Sequence, residues 1–206
     1  MTPLRPILGF DTSGAHCAAA LYWPDGARAP ITMAEDMAKG QAERLLPMIT
    51  QMLGQAGLGL GDIGALAVGV GPGNFTGIRI SVALARGLAL GLGVPAIGVT
   101  GFDARALGVD LPDFWVTIPA PRGQVYVQRF GETAGQSSAP QLCDIPPLDA
   151  PILDITHLSP PDLALAIARR AAVRLAAGHA QPRPAPFYLR AADAAPPSDP
   201  PPVILS

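Results

Sequence analysis

The chain has 206 residues, 49% hydrophobic and 15% charged, with a mean hydropathy of +0.32; that balance excludes a disordered chain, and the length supports a core without disulfides or metal. Fourteen basic against sixteen acidic residues give a net charge of −2, which is not the composition of a protein that grips nucleic acid alone. Cys17 and Cys143 form no CxxC pair, which excludes a zinc ribbon and a redox dithiol and suits a reducing compartment.

Residues 7–11 form an apolar run that Pro6 precedes and Asp11 ends, too short and interrupted for a secretory signal. A second run follows over 17–23, and Pro24-Asp25-Gly26 is a turn. A third strand over 27–33 completes an antiparallel meander. Residues 41–56 have helical spacing through Leu45, Ile49, Met52 and Leu53, with Pro47 at or in the first turn. Asp62 caps a brief turn, and 65–70 read as a buried strand.

The loop Gly71-Pro72-Gly73-Asn74-Phe75-Thr76-Gly77 then leads into a helix ending near Leu92, with Thr76 as the expected N-cap. Residues 80–99 resemble a membrane span in apolarity, but Arg86, several glycines and Pro95 favour a buried helix followed by a strand over 96–99. Thr100 caps a short helix. Strands over 114–120 and 124–130 flank Pro121-Arg122-Gly123. Residues 131–150 read as loop, 151–155 as a strand, and 161–177 as an alanine-rich helix with Asp162 in its first turn. The expected organisation is an α/β lobe over 1–102, a smaller lobe over 103–192, and a proline-rich, poorly ordered tail over 193–206.

Three features could carry function. Asp11, Thr12 and Ser13 at a strand end either hold a magnesium–phosphate group or close a turn through side-chain bonds. The loop with Gly71, Gly73 and Thr76 is either an anion site at a helix N-terminus or a tight turn for close packing. It has neither the Lys-Ser/Thr of a P-loop nor the spacing of a dinucleotide fingerprint. The helix after it is apolar on two sides, Ile78, Val82, Ala85 and Ala89 against Ile80, Leu84, Gly87 and Leu88, with Arg79 and Arg86 in one polar strip. Such a helix must be covered twice, by a neighbour in the chain or by a partner. His16, His157 and His179 make no metal motif, and His16 reads as a solvated turn residue.

Several segments together resemble one family. Ile7-Leu8-Gly9-Phe10-Asp11-Thr12-Ser13 matches its opening strand and turn, and Glu43-Arg44-Leu45-Leu46-Pro47 its first helix. Residues 67–79, Ala-Val-Gly-Val-Gly-Pro-Gly-Asn-Phe-Thr-Gly-Ile-Arg, are close to its signature. Pro95-Ala96-Ile97-Gly98-Val99 and Pro186-Phe187-Tyr188-Leu189-Arg190 follow its pattern. The family is TsaB, also called YeaZ, and the likeness is strongest over 7–102. It implies an actin-like, sugar-kinase/Hsp70-type (ribonuclease H-like) α/β fold of two lobes, the second reduced. It implies a cytoplasmic, non-catalytic partner of TsaD, the subunit that transfers threonylcarbamoyl to adenosine 37 of tRNA (t6A), with the ATPase TsaE joining the complex. ATP and magnesium would serve the complex, with no cofactor or metal required by this chain and tRNA met only through the complex. Gln41 stands where TsaD carries a metal-binding histidine. Asp11, Thr12, Ser13, Gly71, Gly73 and Thr76 would then be a vestigial phosphate site.

Family members pair through two N-terminal-lobe helices, as homodimers or with TsaD, which places Leu45, Met48, Ile49, Met52, Ile78, Val82, Ala85 and Ala89 at the expected partner surface. On that expectation Val82→Glu weakens association and leaves the lobe folded. The departures are Pro119-Ala120-Pro121-Arg122 in place of an Asp-Ala-Arg, and the short second lobe. The rival readings are an active phosphotransferase of the same fold, holding phosphates at Asp11, and a glycoprotease.

Overall fold

The computed structural model describes residues 4–131, 137–147, 149–153, 158–178 and 180–190. The meander is present as β1 (Ile7–Asp11), β2 (His16–Tyr22) and β3 (Ile31–Asp36). Two parallel strands join it, β4 (Ala65–Gly69) and β5 (Ala96–Val99), giving the order β3-β2-β1-β4-β5. α1 (Gln41–Gln55) runs between β3 and β4, and α2 (Phe75–Leu92) between β4 and β5. Pro47 lies inside α1, with its ring exposed. This sheet, with its parallel half joined through helices, is the actin-like, ribonuclease H-like arrangement the sequence leads one to expect.

Alternation along β2 divides its residues between two layers. Cys17, Ala19 and Leu21 join the cluster formed with α1 and α2, whereas Ala18 and Ala20 join Ala164 on the opposite face. The helix on that opposite face is α4 (Pro160–Ala176). Sequence reading assigned it to the second lobe, but it packs on the first sheet. Its Ala168 and Ala171 join the cluster with Ile7, Ala65 and Ala67. Gly9 makes this close approach possible, since a Cβ there would lie 2.6 Å from the Ala164 carbonyl oxygen. The alanine content of α4 is therefore a packing property: small side chains let helix and sheet approach. The segment after α4 returns to the first sheet as well, with the Phe187 amide donating to the Val70 carbonyl at 2.8 Å.

The second sheet has four strands. Its centre is the hairpin of β6 (Asp113–Pro119) and β7 (Val125–Gly131), turned at Arg122 with φ 64°. The stretch expected as loop contains β8 (Gln141–Cys143), and β9 (Ile152–Leu153) lies parallel to β6. A strand of three residues at a sheet edge leaves no alternation to read. Arg129 ties the sheet together by pairing with Asp113 at 2.6 Å and Asp149 at 3.0 Å. The short helix capped by Thr100 is α3 (Gly101–Arg105). The expected tail over 193–206, with His157 and His179, lies outside the described residues.

Among the described helices, α2 is long and apolar enough to cross a bilayer, with a mean hydropathy of 1.4. Here it covers the sheet through Ile78, Val82 and Ala85, all fully or nearly fully buried. Burial, reinforced by Glu35, pushes the Cys17 thiol up to about 11. At neutral pH, iodoacetamide is expected to label the half-buried Cys143 and to reach Cys17 only after unfolding; mass spectrometry of the native and the urea-unfolded chain checks this.

Candidate functional site

The C-terminal ends of β1 and β4 meet the turn after β1 and the glycine loop before α2. Asp11 is 1% exposed and its Oδ1 collects three partners: the Ser13 hydroxyl at 2.8 Å, the Ser13 amide at 3.0 Å and His16 Nε2 at 2.8 Å. Burial alone would raise the Asp11 pKa, but the bonds from His16 and Ser13 and the His16 charge outweigh it, and the carboxyl sits below its ordinary value. Its stabilising contribution is whole above the ordinary value of 3.8 and fades as pH falls below that. Asp11→Asn is expected to lower stability at neutral pH and to flatten the acid-unfolding curve. Equal acid midpoints for the two proteins would contradict this.

A cavity of about 130 Å³ opens beside the carboxylate, lined by Ser13, His16, Gly73 and Arg105 among others. Arg105 reaches in from α3 and is held by the Gly101 carbonyl at 3.0 Å. His16 and Arg105 were not singled out as site residues in the sequence. His16 lies on the strand returning after the turn, five residues from Asp11, and only the β1–β2 pairing brings the two together.

The glycine loop bears on whether phosphates fit. The Asn74 amide donates to the Ser13 carbonyl at 2.7 Å, and the Gly77 amide to the Asn74 side chain at 2.9 Å. Asn74 is thus the N-cap of α2, while the expected Thr76 is an exposed first-turn residue. Thr12 donates its hydroxyl to the Gly77 carbonyl at 2.7 Å. Added Cβ atoms at Gly73 and Gly77 would lie 2.4 Å and 1.8 Å from the Ser13 and Thr12 carbonyl oxygens. The β1–β2 turn therefore fills the space at the helix N-terminus, and its carbonyl oxygens present negative partial charge there. These residues do not fit a nucleotide phosphate at that point. Gly71, with φ 104°, precedes Pro72 and accepts the Gly101 amide at 2.8 Å, linking the loop to α3.

The expected partner residues lie elsewhere than expected. Leu45, Met48, Ile49, Met52, Ile78, Val82 and Ala85 are at most 3% exposed and form the core under the first sheet; Ala89 is half-buried beside them. The seven buried residues pack with each other inside the chain, so they present no surface to a partner. The outward face of α2 is the other apolar side, with Ala83, Gly87 and Gly91 exposed and Ile80 and Leu84 half-buried. Leu46 of α1, 38% exposed, also points outward. Gln41 donates to the Met37 carbonyl at 3.1 Å, closing the start of α1. Among the described residues no three His, Cys, Asp or Glu side chains converge as a metal site would need.

The family model for TsaD, tRNA N6-adenosine threonylcarbamoyltransferase, matches residues 33–150, more than half of the chain. Curated relatives named TsaB and solved structures named YeaZ match the chain as well. The chain is 43% identical over 102 residues to the tRNA threonylcarbamoyladenosine biosynthesis protein TsaB of Escherichia coli K12. It belongs to the TsaB/YeaZ family. The YeaZ structure from Pseudomonas aeruginosa superposes on this family member with a TM-score of 0.65 at 25% identity, covering 83% of this chain and 93% of the other. An uncharacterized protein with similarity to peptidase YeaZ from Pseudomonas aeruginosa gives 0.67 at 27% identity, over 91% and 100%. The match to the Escherichia coli TsaB covers 50% of this chain and 43% of that one, so the chain spans about half the length of the curated relative it matches.

Proposed function

We propose that this chain is a non-catalytic partner subunit in the threonylcarbamoylation of adenosine 37 of tRNA. It binds and stabilises a catalytic TsaD subunit, TsaE joins the pair, and in isolation the chain forms a homodimer. ATP and magnesium are used by the complex, and this chain needs neither. The observation that carries the reading is the filled helix N-terminus: Ser13 and Asn74 take the loop amides that phosphates would need. The outward face of α1 and α2 supports the partner role, since Gly87 and Gly91 have no heavy atom within 4 Å of where a Cβ would stand. Such a face admits the backbone of a second helix, and its half-buried Ile80 and Leu84 gain further burial when covered.

The test is Gly87→Glu. The site is exposed and open, so the variant is expected to keep the circular dichroism and melting behaviour of the native chain. In size-exclusion with light scattering it is expected to lose its homodimer and to stop co-eluting with TsaD. Unchanged association would remove this face from the partner surface.

A further inference from the structure

The net charge of −2 conceals a strong segregation. Residues 63–102 hold two arginines and no acidic residue, and residues 163–190 hold five arginines and none. The remainder carries the other seven basic residues and all sixteen acidic ones. The fold puts the two acid-free stretches side by side, because the segment after α4 runs along β5 and α2. Together they line a groove of about 410 Å³ with Arg86 and Arg183 facing it across an apolar floor that includes Ala89 and Leu175. Among the described residues, neither arginine has a carboxylate within ion-pair distance.

Outside the groove, on the same strip of α2, stands Arg79, two helical turns before Arg86, which places the two about 10 Å apart along the axis. Arg79 donates through Nε to the Tyr188 hydroxyl at 2.8 Å, and the Tyr188 ring packs against Phe75 at 4.6 Å. Tyr188 is 38% exposed. A line of arginines ending in an accessible aromatic pair suits a nucleic-acid strand, with guanidiniums on phosphates and a ring available for a base. The aromatic end is a feature that an acidic peptide would not require.

We propose that this groove binds the RNA backbone directly, with Arg86 and Arg183 on successive phosphates and Arg79 with Tyr188 at one end. The inference rests on the reading of the chain as a subunit acting on tRNA, and it departs from the expectation that tRNA is met only through the complex, since this chain itself makes the contact. The groove flanks the outward face of α2 and does not use Ile80, Leu84 or Gly87, so RNA and a partner helix occupy different sides of the same helix.

The experiment uses the full chain alone and unmodified tRNA labelled for fluorescence anisotropy, beginning at low ionic strength, where weak phosphate contacts are visible. Binding is expected, with log Kobs falling against log salt by about 0.7–0.9 per phosphate contact. Arg86→Ala and Arg183→Ala are expected each to remove about 0.7–0.9 of that slope, and the double variant about twice as much. Lys39→Ala, an exposed cation outside the groove, is expected to leave binding unchanged. No binding by the native chain, or native slope in the double variant, would overturn the proposal. So would polyglutamate competing as well as tRNA at equal charge, because the groove would then be an acidic-protein site. TsaD co-elution of the native chain separates the two readings: a native chain that binds RNA without associating with TsaD would leave the groove standing and sink the partner reading, and the reverse result would do the opposite.

Discussion

Val82→Glu is expected to unfold the N-terminal lobe, not merely to weaken association. Val82 is 3% exposed and belongs to the cluster that α1 and α2 form under the first sheet. A carboxylate there has no cationic partner in that cluster, and leaving a charge buried and unpaired costs roughly 3–5 kcal/mol. The lost valine packing adds to this. Domains of this size are held by about 5–15 kcal/mol, so most or all of the stability is at stake. Urea denaturation followed by circular dichroism checks it. A folded variant with a near-native midpoint would mean that the inner and outer faces of α2 are exchanged.

The second large effect is expected at Gly77. In an exposed helix, replacing glycine by alanine stabilises by about 1 kcal/mol. At Gly77 the sign reverses, because the new Cβ would stand 1.8 Å from the Thr12 carbonyl oxygen, a backbone atom in a buried turn. Relief requires α2 to move off β1, which breaks the Thr12–Gly77 hydrogen bond as well. Gly77→Ala is expected to cost roughly 3 kcal/mol. Gly54→Ala in α1, where nothing lies within 4 Å, is the control and is expected to gain a few tenths to about 1 kcal/mol. Paired denaturation curves give both values, and a stabilised Gly77→Ala would mean that the turn and the loop are not in contact.

These two residues also show where sequence reading succeeds and where it stops. Periodicity locates α2, because Ile78, Val82 and Ala85 recur at helical spacing and Gly93 follows the end. It cannot choose between that face and the one through Ile80, Leu84 and Leu88, since both are apolar. The choice is made by a contact distant in sequence: Gly77 is pressed against Thr12, so the face continuing from Gly77 through Ile78, Ser81 and Val82 turns inward. The same limit applies to α4. Its alanines announce a helix but not its destination, which the close approach to Gly9 fixes. At the site, Asp11 and the glycine loop were visible as a strand end and a strand–loop–helix junction. That the turn after β1 consumes the loop amides was not, because it depends on the Ser13 and Asn74 backbones meeting across 61 residues. His16 shows a further limit, since an isolated histidine carries no motif until β2 is paired with β1.

On the proposed function, this chain supports threonylcarbamoyl transfer without performing it. The most direct measurement combines TsaD, TsaE, threonylcarbamoyl-AMP, ATP and unmodified tRNA, with and without this chain, and counts the modified nucleoside by mass spectrometry. Multiple-turnover modification is expected only when the chain is present, with the same result for Asp11→Asn at a temperature where that variant is folded. Equal modification without the chain, or loss of modification with folded Asp11→Asn, would contradict it.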